Sequence, residues 1–360
     1  MEDTLLPIRE STLVTALEPF HGFVLSMAIF AMHKSGLASQ LADGTTLAEL
    51  AGDGRRDLER LTAMLDYLRA VGLVTCDEGT FKLTELARVY GAAGAWYEMM
   101  VGGYGITFLA LADHLEAGTP GAPRVGRYVG SGSCGISMHD AVPLVRRLLA
   151  LSGRKYKRLI DLGCGSGVYL TELCADYPDL LATGIEPDAD AVAAARQWVT
   201  GQPAADRVTV EQAGALEWIA STPDQPDLAV LAFVIHEVLG QQGEDGVRRL
   251  LLSLFDAAPG LDLVIIDVDL RSADLAAMTH PLARNYYNAY FLLHPFTDQR
   301  LMPREWWERL FADCGLTVAY SGTTDPATDS TGFEVGWLLR RADLVAGQSW
   351  DRTHPGVSDE

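Results

Sequence analysis

The stretch "RLIDLGCGSGVYLTELCADYPDLLATGIEPDADAV", Arg158 to Val192, constrains this chain more than any other. An apolar run ends in Asp161, then Gly163, Gly165 and Gly167 follow at alternate positions. A helical pattern takes over, and a second apolar run ends in Glu186. Glycines at such a turn permit positive φ and let the backbone approach a ligand closely. A helix that opens there presents free N–H groups suited to a carboxylate or phosphate. An acid at the end of the next strand is placed to accept hydrogen bonds from both hydroxyls of a ribose. From Arg158 onward strands and helices alternate, which predicts a parallel sheet with helices on both faces. Strands are expected at 158–162, 181–185, 207–211, 227–234, 262–268, 316–321 and 333–340.

The residues ahead of this stretch are of another kind. Phe20, Val24, Met27 and Ala31 recur at helical spacing and predict one apolar stripe, and Leu58, Leu61, Leu65 and Leu68 predict a second amphipathic helix. Val74 to Cys76, the turn Asp77-Glu78-Gly79 and Phe81 to Leu83 read as a hairpin, so residues 1–95 have a winged-helix pattern. Residues 96–150 read as connecting helices, broken at Gly102, Gly103 and Gly105, and a Gly/Ser-rich loop over the site. Residues 151–345 form the expected α/β domain and 346–360 a tail. The formal net charge of −20 argues against nucleic acid or an anionic membrane as main partner. The mid-chain run Leu228 to Ile235 is too short to span a bilayer. Five scattered cysteines without a CxxC pair indicate neither a disulfide framework nor a cysteine zinc site, so a cytoplasmic location is expected.

The glycine spacing is GxGxG after an aspartate, not GxGxxG, and it follows a long helical region instead of opening the chain. Both details favour S-adenosylmethionine (SAM), which needs no pyrophosphate cradle, over a nicotinamide dinucleotide. "DLGCGSG" with Glu186 resembles the first motif and partner acid of the class I SAM-dependent methyltransferases. The helical region ahead of it resembles the dimerisation domain of small-molecule O-methyltransferases. That resemblance implies a seven-stranded Rossmann-like domain and a homodimer formed through the N-terminal region. It implies a cofactor site of Asp161, Gly163, Gly165, Gly167 and Glu186, with Tyr104 and Ala215 lining it. Where the family often has Gly-Asp after the third strand this chain reads Gly214-Ala215, without the acid.

His236, just past the fourth strand in "FVIHE", stands where the O-methyltransferases keep a general base. "GGYG", the loop from Arg127, "SMHDAVP", "FVIHE" and "NAYFLLHPFTDQR" together resemble the α-keto acid C-methyltransferases, the 2-ketoarginine and phenylpyruvate methyltransferases. That resemblance implies a metal, zinc or iron, held by His236 and His294, with the keto acid as further ligand in the biosynthesis of β-methyl amino acids. A Lewis acid on a ketone oxygen makes the neighbouring carbon easier to deprotonate. Arg127 is the candidate for the substrate carboxylate. Glu237 is expected to orient a ligand or take the proton, and Asp267 to reach metal or substrate. Phe, Leu and Tyr in residues 286–296 lean towards an apolar substrate side chain, with Asp298 and Glu237 against it. Two other functions fit the same text: a metal-independent O-methyltransferase with His236 as base, and a SAM-binding winged-helix regulator without catalysis.

Overall fold

The computed structural model describes residues 8–222 and 225–345; the tail expected over 346–360 lies outside the described residues. The chain divides into two compact units, one running to Gly105 and the other starting at Ile106. The first unit begins with α1 (Glu10–Lys34), α2 (Leu37–Leu41) and β1 (Thr45–Thr46), followed by α3 (Leu47–Ala51) and α4 (Leu58–Ala70). Strands β2 (Val74–Asp77) and β3 (Thr80–Leu83) come next, then α5 (Glu85–Ala92). Local chemistry sets these limits. Thr46 and Glu49 cap α3 reciprocally, and the Asp57 side chain accepts the Arg60 N–H at the start of α4. Glu78 and Gly79 both take positive φ, which matches the two-residue turn of a twisted hairpin.

The core of this unit joins Ile29 and Met32 of α1 to Leu41, Leu50, Leu65 and Leu68. That corrects the predicted stripe: Phe20 and Val24 are 63% and 42% exposed, and Leu58 is also exposed. The helical period is right, but the buried face of α1 runs through Ala28, Ile29 and Met32 instead. Leu13, Val14, Leu17, Phe20 and Phe23 form a second apolar face that this chain leaves exposed. By length and composition α1 could cross a membrane, with a mean hydropathy of 1.6, unlike the mid-chain run.

The second unit carries β4 (Arg158–Leu162), β5 (Leu181–Glu186), β6 (Val208–Gln212), β7 (Leu228–Ala232) and β8 (Asp262–Val268). β9 (Leu316–Thr323) and β10 (Glu334–Arg341) complete one seven-stranded sheet in the order β6-β5-β4-β7-β8-β10-β9. β4 to β8 are parallel, and β10 lies antiparallel between β8 and β9. The helices Ala141–Ser152, Val168–Asp176 and Ala189–Thr200 pack one apolar layer and Ile235–Ala257 with Arg304–Asp313 the other. β8 is buried along its whole length, as a central parallel strand should be. Seven strands were expected and seven form this sheet, every end within two residues of its expected place. The fourth was predicted to reach 234 but stops at Ala232, because Phe233 turns away with φ 58°.

Candidate active site

Asp161, Glu186, His236 and Asp267 lie where β4, β5, β7 and β8 end. Gly163, Gly165 and Gly167 take φ of 75°, 52° and 81°, a region that costs an L side chain roughly 1–2 kcal/mol. The turn is pinned by Gly163 N–H donating to Ile185 O (2.8 Å). A β carbon on Gly163 would come within 2.6 Å of Val234 Cγ2, so the turn packs directly on the residue two before His236. Glu186 accepts the Gly165 N–H and the Asp188 N–H, each at 3.1 Å, which leaves lone pairs on both oxygens. Asp161 is buried, and its Oδ2 has no hydrogen-bond partner among the described residues. Burial, then the charge of Glu186, pushes its carboxyl up to about 8. A buried acid with an orphaned oxygen needs a cation or donor from outside. Gly214 caps the helix Ala215–Ser221, which places Ala215 just past β6, the neighbour of β5. Tyr104 belongs to the first unit and is buried.

The second cluster lies one strand over. His236 is the second residue of the helix Ile235–Ala257, and its Nδ1 meets both oxygens of Asp267, at the end of β8, at 2.9 and 3.1 Å. Burial pulls the His236 imidazole down, but the Asp267 carboxylate outweighs it and the net shift is upward. His294 follows a π-helical turn (Ala283–Tyr287) and the helix Asn288–Leu293, and its Nδ1 donates to Tyr290 O at 2.6 Å. Burial, then the neighbouring His236, holds the His294 imidazole well below the ordinary histidine range. The carbonyl and the carboxylate each face an Nδ1, so in the neutral form of either ring the lone pair lies on Nε2. The ring centres are 5.2 Å apart and nearly perpendicular. Gln299 Nε2 donates to Glu237 Oε1 (2.7 Å) and lies 3.4 Å from His236 Nε2.

The expected residues divide accordingly. His236, His294 and Asp267 come together; Asp269 instead ties Arg271 and the Arg304 N–H at the end of β8. Glu237 is met by Arg124, Nη1 and Nη2 donating at 2.7 and 3.1 Å, while Arg127 is exposed and stacks on Tyr128 at 4.5 Å. Burial alone would raise the Glu237 carboxyl, but Arg124 holds it below the usual range. Sequence reasoning missed Arg124, Gln299 and Phe233. Gln299 lay inside the quoted "HPFTDQR", and Arg124 stands three residues before the arginine singled out. Nothing local announced Phe233, whose positive φ is the one backbone strain at this edge outside glycine. Among the described residues no group of three or more His, Cys, Asp or Glu is arranged to hold a metal.

Residues 17–92 match the O-methyltransferase dimerisation domain and residues 138–321 a methyltransferase domain. The chain belongs to the SAM-dependent methyltransferases that carry this dimerisation domain, and is an α/β enzyme of that kind. It is 36% identical over 344 residues to 2-ketoarginine methyltransferase of Streptomyces arginensis, covering 94% of this chain and 98% of that one. Indolepyruvate C-methyltransferase of Streptomyces griseus is 28% identical over 240 residues, 61% of this chain and 70% of the relative. An O-methyltransferase family protein of Burkholderia thailandensis shares the fold, with TM-score 0.66 and 18% identity over 94% of this chain and 99% of its own. The dimerisation domain supports a homodimer.

Proposed function

We propose that the protein methylates the β carbon of an α-keto acid, at the expense of SAM and with the help of a metal ion, zinc or iron, held by His236 and His294. Such a product would feed the biosynthesis of a β-methyl amino acid. The observation that carries the reading is the histidine pair beside the cofactor turn, in a chain related to enzymes named for the α-keto acids 2-ketoarginine and indolepyruvate. Two imidazoles on one tetrahedral cation, with bonds of roughly 2.0–2.1 Å, set their ring centres about 5 Å apart, close to the spacing found. The donor set fits a cation held by two imidazoles, with open positions for substrate. Asp267 fits the role of an orienting partner, since both its oxygens face His236 Nδ1. The metal's chemistry, when bound, is to polarise the ketone and so acidify the neighbouring C–H.

The chain's own residues do the rest. Asp161 is suited to the ammonium of the cofactor's amino-acid end, and Glu186 to its ribose. The Arg124–Glu237 pair and Gln299 brace the rim of the site, and Arg124, anchored on the residue next to His236, is better placed for a carboxylate than the exposed Arg127. In the transfer the β C–H bond breaks and its proton passes to a base or water. The carbon's electron pair forms the new C–C bond to the sulfonium methyl, and the S–C pair stays on sulfur. Positioning the two centres in line is the main task left to the protein. The His236–Asp267 dyad also favours a second reading, O-methylation with His236 as base. Labelled SAM with a panel of α-keto acids, before and after chelation, decides between them. A β-methyl product lost on chelation supports the proposal; a methyl on oxygen, or full turnover in chelator, ends it.

A further inference from the structure

Beyond Glu186 the sheet edge changes character. The strand order puts β4 on one side of β5 and β6 on the other, and Glu186 at the end of β5 pairs with Gln212 at the end of β6. A ribose held by Glu186 through its two hydroxyls sends its substituents out on opposite sides of the ring. The amino-acid arm leaves from one carbon and the base from another. With the arm directed to Asp161 at the end of β4, the base lies over the end of β6, against the turn from Ala213 to Leu216.

That turn reads Ala-Gly-Ala-Leu and carries no side-chain hydrogen-bond acceptor. Ala213, Ala215 and Leu216 are half-buried and pack on the apolar layer beneath them. Gly214 has φ −76° and ψ 145°, an extended conformation open to any residue, so its lack of a side chain answers no demand of the backbone. A β carbon built on it meets no atom within 4 Å. The turn is thus an apolar shelf with open space at its middle residue. The polar side chains around it are turned to partners of their own. Glu211 accepts the Trp218 Nε1–H at 3.0 Å, Gln212 donates to Pro187 O at 3.4 Å, and Asp188 accepts the Ala191 N–H at 2.8 Å. Glu217, on the helix that follows, is exposed.

We propose that Gly214 leaves the exocyclic amine of the cofactor's base unheld and open to solvent, so that the enzyme takes S-adenosyl cofactors alkylated on that nitrogen. A site that hydrogen-bonds an amine rejects analogues lacking the donor, because its acceptor is then buried unpaired. A shelf of alanine, glycine and leucine carries no such penalty and holds the base by apolar contact. The inference rests on the cofactor placement through Asp161 and Glu186 given above, and adds which part of the cofactor the protein does not read.

The test is titration calorimetry of the enzyme with three ligands. One is S-adenosylhomocysteine (SAH), the second is SAH dimethylated on the adenine amine, which has lost both donors, and the third is SAH benzylated there, which adds bulk. Both analogues should bind within about threefold of SAH. Gly214→Asp installs a carboxylate at the open position, and SAH should then bind about tenfold or more better than the dimethyl analogue. A wild-type enzyme that binds either analogue more than about fivefold more weakly than SAH overturns the proposal, as does a Gly214→Asp enzyme that binds SAH and the dimethyl analogue alike. Glu186→Gln should weaken all three ligands by a similar factor. If it weakens none, the ribose placement fails and takes the inference with it. Should Gly214→Asp not fold, the wild-type ratios decide alone.

Discussion

At the ends of β4 and β5 the surface is backbone, held by three glycines with positive φ and an acid at the end of each strand. At the ends of β7 and β8 it is side chain, with His236 and His294 brought together from positions 58 residues apart in the chain, each ring fixed through Nδ1. The first region derives its shape from residues within one strand–turn–helix–strand unit. The second depends on a helix start, a strand end and a π-helical turn arriving at the same place. A local arrangement binds a cofactor common to many enzymes, whereas the long-range one sets what is done with it. Substitutions in the two regions should therefore separate binding from turnover.

The largest separation is expected from His236→Ala and His294→Ala. Each should lower kcat about a thousandfold while SAM affinity, read by titration calorimetry, stays within about threefold. Equal loss of SAM affinity would merge the two regions into one. Retained turnover in His294→Ala would favour O-methylation. Asp267→Asn removes an orienting group only, so a fall of about 10- to 100-fold in activity or metal content is expected. Asp161→Asn should do the reverse, weakening SAM about 30-fold with little change in kcat at saturation.

The pH dependence sharpens the cofactor side. The free enzyme holds Asp161 protonated below about 8, whereas a cofactor ammonium requires the carboxylate. Below that value SAM must expel a proton to bind, so its affinity should rise with pH between about 6 and 8, by up to about tenfold per unit. Calorimetry in buffers of different ionisation enthalpy would detect the released proton, and Asp161→Asn should flatten the profile. The smallest effect is expected from Gly163→Ala, which places a β carbon against Val234 at φ 75°. A loss of roughly 1–2 kcal/mol in stability, seen in the melting temperature, and a weaker SAM complex should result.

How far the sequence could be read follows the same division. Asp161, the glycines and Glu186 were legible because each acts through its neighbours in the chain, and the strands because buried apolar runs bounded by turns leave few other readings. The phase of α1 was not: its period is helical either way, and which face is buried depends on a tertiary partner. His236 and His294 stood out only through resemblance, since distance along the chain carries no information about distance in space. Arg124 passed unnoticed beside Arg127 for the same reason, its partner Glu237 being 113 residues away.

Phe233 ties the two regions together in another way. A phenylalanine in the left-handed region costs roughly 1–2 kcal/mol, a charge that the sheet beneath it must carry. Glycine there would relax the chain and raise the melting point, but it would also free the three-residue step that aims His236 at Asp267. Anyone evolving this enzyme for endurance would find an early gain at position 233 and lose speed with it.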